Sequence, residues 1–409
     1  MTRRLFAIAS AILLTATALA AQTLDAPPAE PDADPAAWPW LTLGTRIVSV
    51  STRSRSVTGS PYFSDLARVR LDVAARLSEG LSARVMADLE GLAGSVLDTV
   101  EFDRLRTREP EGVRLVESGS LFLRERLYRG QLEYRMNSLT IAAGRLRVPL
   151  GVARLFSSID ILNPYDPFAV EKEERPGVDG ASLEWQLSPL SSVSAAYVPK
   201  SRWSRSSLAA RYAANVRGVD VGVMGVKSGQ QQTYGISAER TAGGAGVRTE
   251  GTYTTVPGRP DFIRATAGSD YAFRSGVRVT GEYYFNADRQ APVAIDPTIS
   301  HLNLARHSVG GIVGYDVTPL LTATMYMVYA GGGAGRFVNP EVAYGIRSNL
   351  NLVAGAMVFS GGPGARLSRV PDTYYIRAEW FFQGGRIRSG RRAPSGEAGT
   401  PMEPRMGPG

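Results

Sequence analysis

"ARVRLDVAARL", residues Ala67–Leu77, is the stretch on which the fold of this chain turns. In an extended backbone Ala67, Val69, Leu71, Val73, Ala75 and Leu77 point one way, and Arg68, Arg70, Asp72 and Arg76 point the other. A period of two means a strand with one apolar and one polar face. The pattern recurs. Leu81–Glu90 sets Leu81, Ala83, Val85, Ala87 and Leu89 against Arg84, Asp88 and Glu90. Val277–Asn286 sets Val277, Val279, Tyr283 and Phe285 against Arg278, Glu282 and Asn286, and Tyr374–Phe382 alternates in the same way around Arg377 and Glu379.

A water-soluble sandwich also alternates, so the period alone does not choose. The polar face here carries full charges of both signs, mostly arginine. The segments are close to the 9–11 residues, roughly, that a tilted strand needs to cross a bilayer. Aromatic residues gather toward segment ends (Tyr253, Tyr271, Phe273, Tyr283, Phe285, Trp380, Phe382), as in interfacial girdles. Beyond the N-terminus no apolar run is long enough for a spanning helix. Backbone in lipid must then be satisfied in a closed sheet. The expected fold is all-β, an antiparallel transmembrane barrel of about 16–18 strands.

Strands are expected at 41–52, 64–77, 81–93, 121–135, 139–147, 178–187, 191–199, 206–214 and 218–227. Others follow at 232–241, 245–256, 261–273, 276–287, 308–318, 320–330, 337–347, 350–360 and 372–383. The segment 121–135 loses its alternation midway, which predicts a bulge. Connections sort by parity: those at one end are short, and the long ones (94–120, 148–177, 288–307, 361–371) all fall at the other. Short inner turns and long outer loops are the arrangement of outer-membrane barrels.

The ends of the chain read differently. MTRR followed by LFAIASAILLTATALA, with Ala18 and Ala20 before a cut, is the pattern of a secretory signal peptide over residues 1–20. Residues 21–40, rich in Pro, Ala and acids, read as a flexible periplasmic leader. Residues 41–383 hold the barrel, and 384–409, rich in Arg, Gly and Pro, read as a disordered tail. Cysteine is absent, so disulfides, thiol chemistry and Cys-held metals are excluded. The net charge is +8, with lysine only at 172, 200 and 227. An exported chain of this kind points to lipid and small solutes as partners and away from nucleic acid.

Catalysis finds little support. The only histidines, His301 and His307, lie in or beside one outer loop with Asp296 near, a poor metal set without a third firm ligand. GGGAGR (Gly331–Arg336) lacks the Lys-Ser/Thr and the helix of a phosphate loop. No cofactor motif is present, and no enzyme activity is expected. The recurring signal is the arginine face: Arg68, Arg70, Arg76, Arg84, Arg248, Arg264, Arg278 and Arg377. In a barrel this wide that face surrounds water. It either sets ionic preference or stiffens the wall by pairing with Asp72, Asp88, Glu250 and Glu282.

The third outer-end connection, 148–177, is the exception to all this regularity. Pro149, Pro164, Pro167 and Pro176 limit its freedom. Folded inward, its acids Asp160, Asp166, Glu171, Glu173 and Glu174 would oppose the arginine wall across a narrowed lumen. A long third loop with acids facing a basic wall resembles the constriction of bacterial general porins. The words GRLRVPLG and LFSSIDILNP are also similar to a G-R-Q-x-x-x-W-G…F-x-x-x-D-x-x-N-P pattern of poorly characterised outer-membrane barrels. Gly144, Arg145, Gly151, Phe156, Asp160, Asn163 and Pro164 match it, while Leu146 and Leu150 replace the Gln and Trp. The aromatic Tyr374–Phe382 resembles the terminal strand read by barrel-assembly machinery. These resemblances imply a porin-like channel of the outer membrane for small polar or ionic solutes. The alternative is a non-conducting structural or export-associated barrel plugged by 148–177. Oligomeric state, solute and ion preference are left open.

Overall fold

The structure, a computed structural model, describes residues 39–103, 112–163, 165–172, 177–288 and 305–388. The expected signal peptide, all but the last residues of the leader, and the tail beyond 388 lie outside these, as do Pro164, Glu173, Glu174, Asp296 and His301.

Alternating stretches of the sequence become the strands of one antiparallel sheet. These are β1 (Pro39–Arg55), β2 (Pro61–Arg76), β3 (Leu81–Ala93), β4 (Val113–Ser118), β5 (Leu121–Met136) and β6 (Leu139–Leu146). After the long third loop come β7 (Val178–Ser188), β8 (Ser191–Val198), β9 (Ser207–Val216), β10 (Val219–Ser228), β11 (Gln231–Ala242) and β12 (Ala245–Thr255). The remainder are β13 (Phe262–Ala272), β14 (Arg278–Asn286), β15 (His307–Thr318), β16 (Leu321–Ala330), β17 (Gly335–Arg347), β18 (Leu350–Ser360) and β19 (Thr373–Arg388). Because β1 pairs with both β2 and β19, the sheet closes without a free edge. Eighteen strands form the wall; each of the eighteen expected segments is one of them.

The additional strand, β4, lies inside the 94–120 connection, where the sequence was expected to be loop. It pairs with β5 only at Leu121–Glu125, whereas β6 pairs with β5 only at Gly130–Met136. β6 is short because the chain leaves it for the lumen, and β4 covers the β5 edge so exposed. A second difference is at the end: β19 continues to Arg388 rather than yielding to a tail at 384, because β1 begins at Pro39 and supplies partners. The bulge expected in 121–135 falls at Tyr128, which the ladder to β3 skips. It reverses the alternation, so that Leu127 before it and Leu132 and Tyr134 after it all face outward and exposed. Tyr128 itself turns inward, its ring 3.7 Å from the Arg70 guanidinium.

The two faces are inverted relative to a water-soluble protein. Leu71, Val85, Leu89, Val223, Ile236 and Ile263 are exposed on the outside, while Arg70, Asp88, Arg248 and Glu250 are buried inside. That is the arrangement a bilayer requires. Aromatic residues mark both rims: Tyr271 with Phe273 (4.7 Å) and Trp380 with Phe382 (4.6 Å) at the short-turn end, Tyr283 with His307 at the long-loop end.

Candidate functional site: a loop seated in the lumen

The third loop begins where β6 is pinched. Gly144 has φ +125°, and a Cβ there would stand 2.1 Å from the Gly130 carbonyl oxygen, so only glycine allows β6 to lie this close to β5. Arg145 pairs with Asp179 at 2.9 Å and donates to the Leu127 carbonyl at 2.8 Å, the backbone group beside the bulge. The chain then turns inward. Leu146, Val148, Leu150 and Ile159 pack against Ala196, Ala209, Met224 and Val226 on β8–β10. Asn163 Oδ1 accepts the Val148 amide (2.9 Å), and Asp160 Oδ1 accepts the amides of Leu150 (2.7 Å) and Gly151 (2.9 Å). Asp160 and Asn163 thus fold the loop on itself.

Two wall carboxylates seat the next segment. Glu250 on β12 accepts the amides of Val152 and Ala153 (2.7 Å for the latter), the Ser157 hydroxyl (2.9 Å) and the Ser158 amide (3.0 Å). Glu282 on β14 accepts the amides of Arg154 (2.6 Å), Leu155 (2.8 Å) and Phe156 (3.0 Å). Hydrogen bonds to a charged acceptor contribute about 1.5–3 kcal/mol each, and here both carboxylates are buried. Phe156 stacks on Tyr284 (5.8 Å) and lies where any Cβ on Gly310 would collide with its ring, at 2.5 Å. Gly151 is likewise enclosed: a Cβ would sit 2.2 Å from the Ser157 hydroxyl.

The return limb meets the opposite arc of wall. Phe168 packs on Phe337 (4.9 Å) and Phe359 (5.9 Å), and the Val170 carbonyl accepts from Arg377 at 2.9 Å. Glu171 pairs with Arg68, and Lys172 donates to Asn339 Oδ1 at 2.5 Å with its ammonium 4.3 Å from the Tyr326 ring centre. Asn339 precedes Pro340, which has no N–H to give the β17–β18 ladder. The Asn339 side-chain amide replaces it, donating to the Ala356 carbonyl at 3.1 Å. Asp166 accepts the Phe168 amide at 2.8 Å, and burial nevertheless pushes its carboxyl above the ordinary aspartate range.

The eight expected wall arginines all lie on the lumen face, in two environments. Arg68, Arg70, Arg248, Arg264 and Arg377 are buried. Arg70 is held by Asp88 (2.5 Å), Arg248 by Glu282 (3.4 Å) and Asp270, Arg264 by Asp288 (3.5 Å), and Arg377 by Glu379 (2.9 Å). Arg76, Arg84 and Arg278 line the inner half and are exposed, with Arg84 on Asp72 and Arg278 on Asp316, both at 2.6 Å. Of the loop acids, Glu171 meets the arginine wall, Asp160 serves the loop backbone and Asp166 caps a turn. His307 faces outward, bonded to the Tyr283 hydroxyl at 2.7 Å. No cluster of three metal-ligating side chains occurs among the described residues.

Sequence reading placed Glu250 and Glu282 on the polar face as partners for arginine, but not as acceptors for the loop. Backbone amides leave no mark in a sequence, so the only signal available was two acids at mid-strand on neighbouring parts of the wall.

The chain matches no protein-family model and no curated protein in sequence. Solved structures match in fold. OccAB2 of Acinetobacter baumannii superposes with a TM-score of 0.55 at 9% identity, covering 84% of this chain and 98% of the other. The outer membrane protein opdK of Pseudomonas aeruginosa gives 0.54 at 10% identity, over 84% and 99%. OccK8 (OprE) of the same organism gives 0.53 at 10%, over 84% and 98%. At a tenth of positions identical, what is shared with these outer-membrane proteins is the closed eighteen-stranded barrel.

Proposed function

We propose that this protein is an outer-membrane channel through which small polar or ionic solutes diffuse, with the third loop narrowing the lumen. One observation carries the reading: the loop is seated on the lumen wall, yet the wall at the short-turn end stays charged and open to water. Arg84 and Arg278 remain about half exposed there, although both face inward. A wall of paired charges around water passes polar solutes and excludes apolar ones. The fold shared with outer-membrane proteins supports the location, and the outward apolar belt fits a lipid partner. An export signal at 1–20, and recognition of the aromatic end of β19 by assembly machinery, belong to the same proposal. So does the role of Gly144, Arg145, Asp160 and Asn163 as the set that turns and folds the loop.

The test is ion current through the purified protein in planar bilayers. Discrete conductance steps are expected from the native chain, and larger ones after removal of residues 150–175. Silence from both, with the barrel shown folded by its gel mobility, overturns the channel and favours a plugged structural barrel.

A further inference from the structure

On the outside of the barrel, one arc of the long-loop rim carries positive charge that the protein does not answer. Residues 199–206, PKSRWSRS, join β8 to β9 there, and residues 229–230 join β10 to β11 beside them. Neither connection contains an acid, yet Lys200, Arg202 and Arg205 stand exposed on the first. Lys227, near the end of β10, adds a fourth cation. Its direction follows from its neighbours: Met224 and Val226 pack on the loop inside the barrel, so Val223 and Lys227 point outward. Among the described residues none of these four side chains is paired with a carboxylate. Arg259, on the next outer connection, holds Asp288 at 2.6 Å.

The connection that displays these cations is folded against its neighbour. The Lys200 amide donates to Ser206 Oγ at 3.0 Å, that hydroxyl donates to the Arg202 carbonyl at 3.3 Å, and the Gly229 amide donates to the Ser206 carbonyl at 3.3 Å. Trp203 opens a single 3-10 turn, Trp203–Arg205. Its ring lies 5.7 Å from that of Tyr197, and the Lys227 ammonium is 4.8 Å from its centre. Leu208 is in register with both Tyr197 and Lys227, so aromatic, apolar and basic groups form one row along the outside of the rim. Trp203 is nonetheless 64% exposed. An indole this open suits the headgroup level of a bilayer, where one part of the ring meets apolar surface and the N–H meets water.

We propose that this rim is a docking site for the phosphate-bearing headgroup of an outer-leaflet glycolipid. Arg202 and Arg205 take phosphate oxygens through their planar forks of donors, and Lys200 and Lys227 act as point charges beside them. Below the cations the wall is apolar and open: Leu208, Val223, Tyr234 and Ile236 are all exposed on its outward side, where acyl chains run. A soluble phosphate meets only the cations, whereas a lipid meets both the cations and the apolar row. Charge of one sign, free of internal partners, is what an anionic membrane surface attracts. Docking on the outside of the wall is independent of whether the lumen conducts.

Native mass spectrometry of the folded barrel in detergent tests this, with bisphosphorylated lipid A and the same lipid stripped of phosphate titrated as probes. The native protein is expected to retain the phosphorylated form much more tightly than the stripped one. Arg202→Gln should weaken that retention about fivefold, and the pair Arg202→Gln with Lys227→Gln more than about tenfold. Arg240→Gln, at an exposed arginine on the outward side of β11 but at the short-turn rim, should leave it unchanged. A large molar excess of inorganic phosphate should not displace the lipid. Gel mobility confirms that each variant is folded. Equal retention by the native protein and the double variant overturns the site. Equal retention of the two lipid forms overturns recognition of phosphate, and ready displacement by inorganic phosphate overturns the lipid as its source.

Discussion

At the scale of single residues, the decisive groups are carboxylates that read backbone. Glu282→Ala removes the acceptor of three consecutive loop amides, and each buried donor left unmatched costs about 1–3 kcal/mol. The loop should leave its seat, seen as larger and noisier conductance and as new protease cleavage between 147 and 177. Glu282→Gln keeps an oxygen but loses the charge, so its effect should be smaller and in the same direction. Conductance and cleavage identical to the native protein in both variants would show that the apolar contacts of Phe156 suffice. Gly144 acts through shape instead. Gly144→Val places a branched side chain at positive φ against the Gly130 carbonyl, and the variant should fail to reach the folded form on a gel. The sequence marked Gly144, Asp160 and Asn163 through their match to the G-R-Q…D-x-x-N-P pattern, and Asp160 also as a loop acid. Their jobs were not readable, since each acts on backbone that is close only after folding.

At the scale of elements, the loop is a unit whose seating depends on pH through Asp166. Burial raises its folded-state pKa, so the seated loop holds the proton more tightly than a loop released into water. Seating therefore gains as pH falls from above that raised value, and stops gaining below the ordinary aspartate value of about 3.9. Excursions to larger conductance should become rarer on acidification through this window, and Asp166→Asn should remove that difference. An unchanged pH dependence in Asp166→Asn would assign the effect elsewhere. Strands were the readable elements, because alternation is a local property and eighteen segments repeat it. β4 was not, as VRLVES has two or three alternating positions and its pairing exists only because β6 ends early.

For the whole molecule, closure between β1 and β19 makes the barrel a single cooperative object with no edge to fray. The native protein should run faster on a gel before boiling than after it, and should fractionate with the outer membrane. A soluble periplasmic pool with no such shift would contradict the barrel in a bilayer. The overall class was legible because lipid enforces one face and water the other at every strand. What the lumen holds was not. Val48, Val50, Val328 and Phe337 point inward, against the expected polar parity, because the loop brings Leu155, Phe156 and Phe168 to meet them.

The latch on Glu250 and Glu282 grips Val152, Ala153 and Arg154 through their peptide N–H groups. Ala153 is buried and Arg154 reaches Glu239 at 3.7 Å, but the part-exposed side chain of Val152 is spare as far as anchoring is concerned. It is a ready position for pore engineering: residues of other size or charge can be exchanged there to retune what passes, while the peptide groups continue to fasten the loop in place.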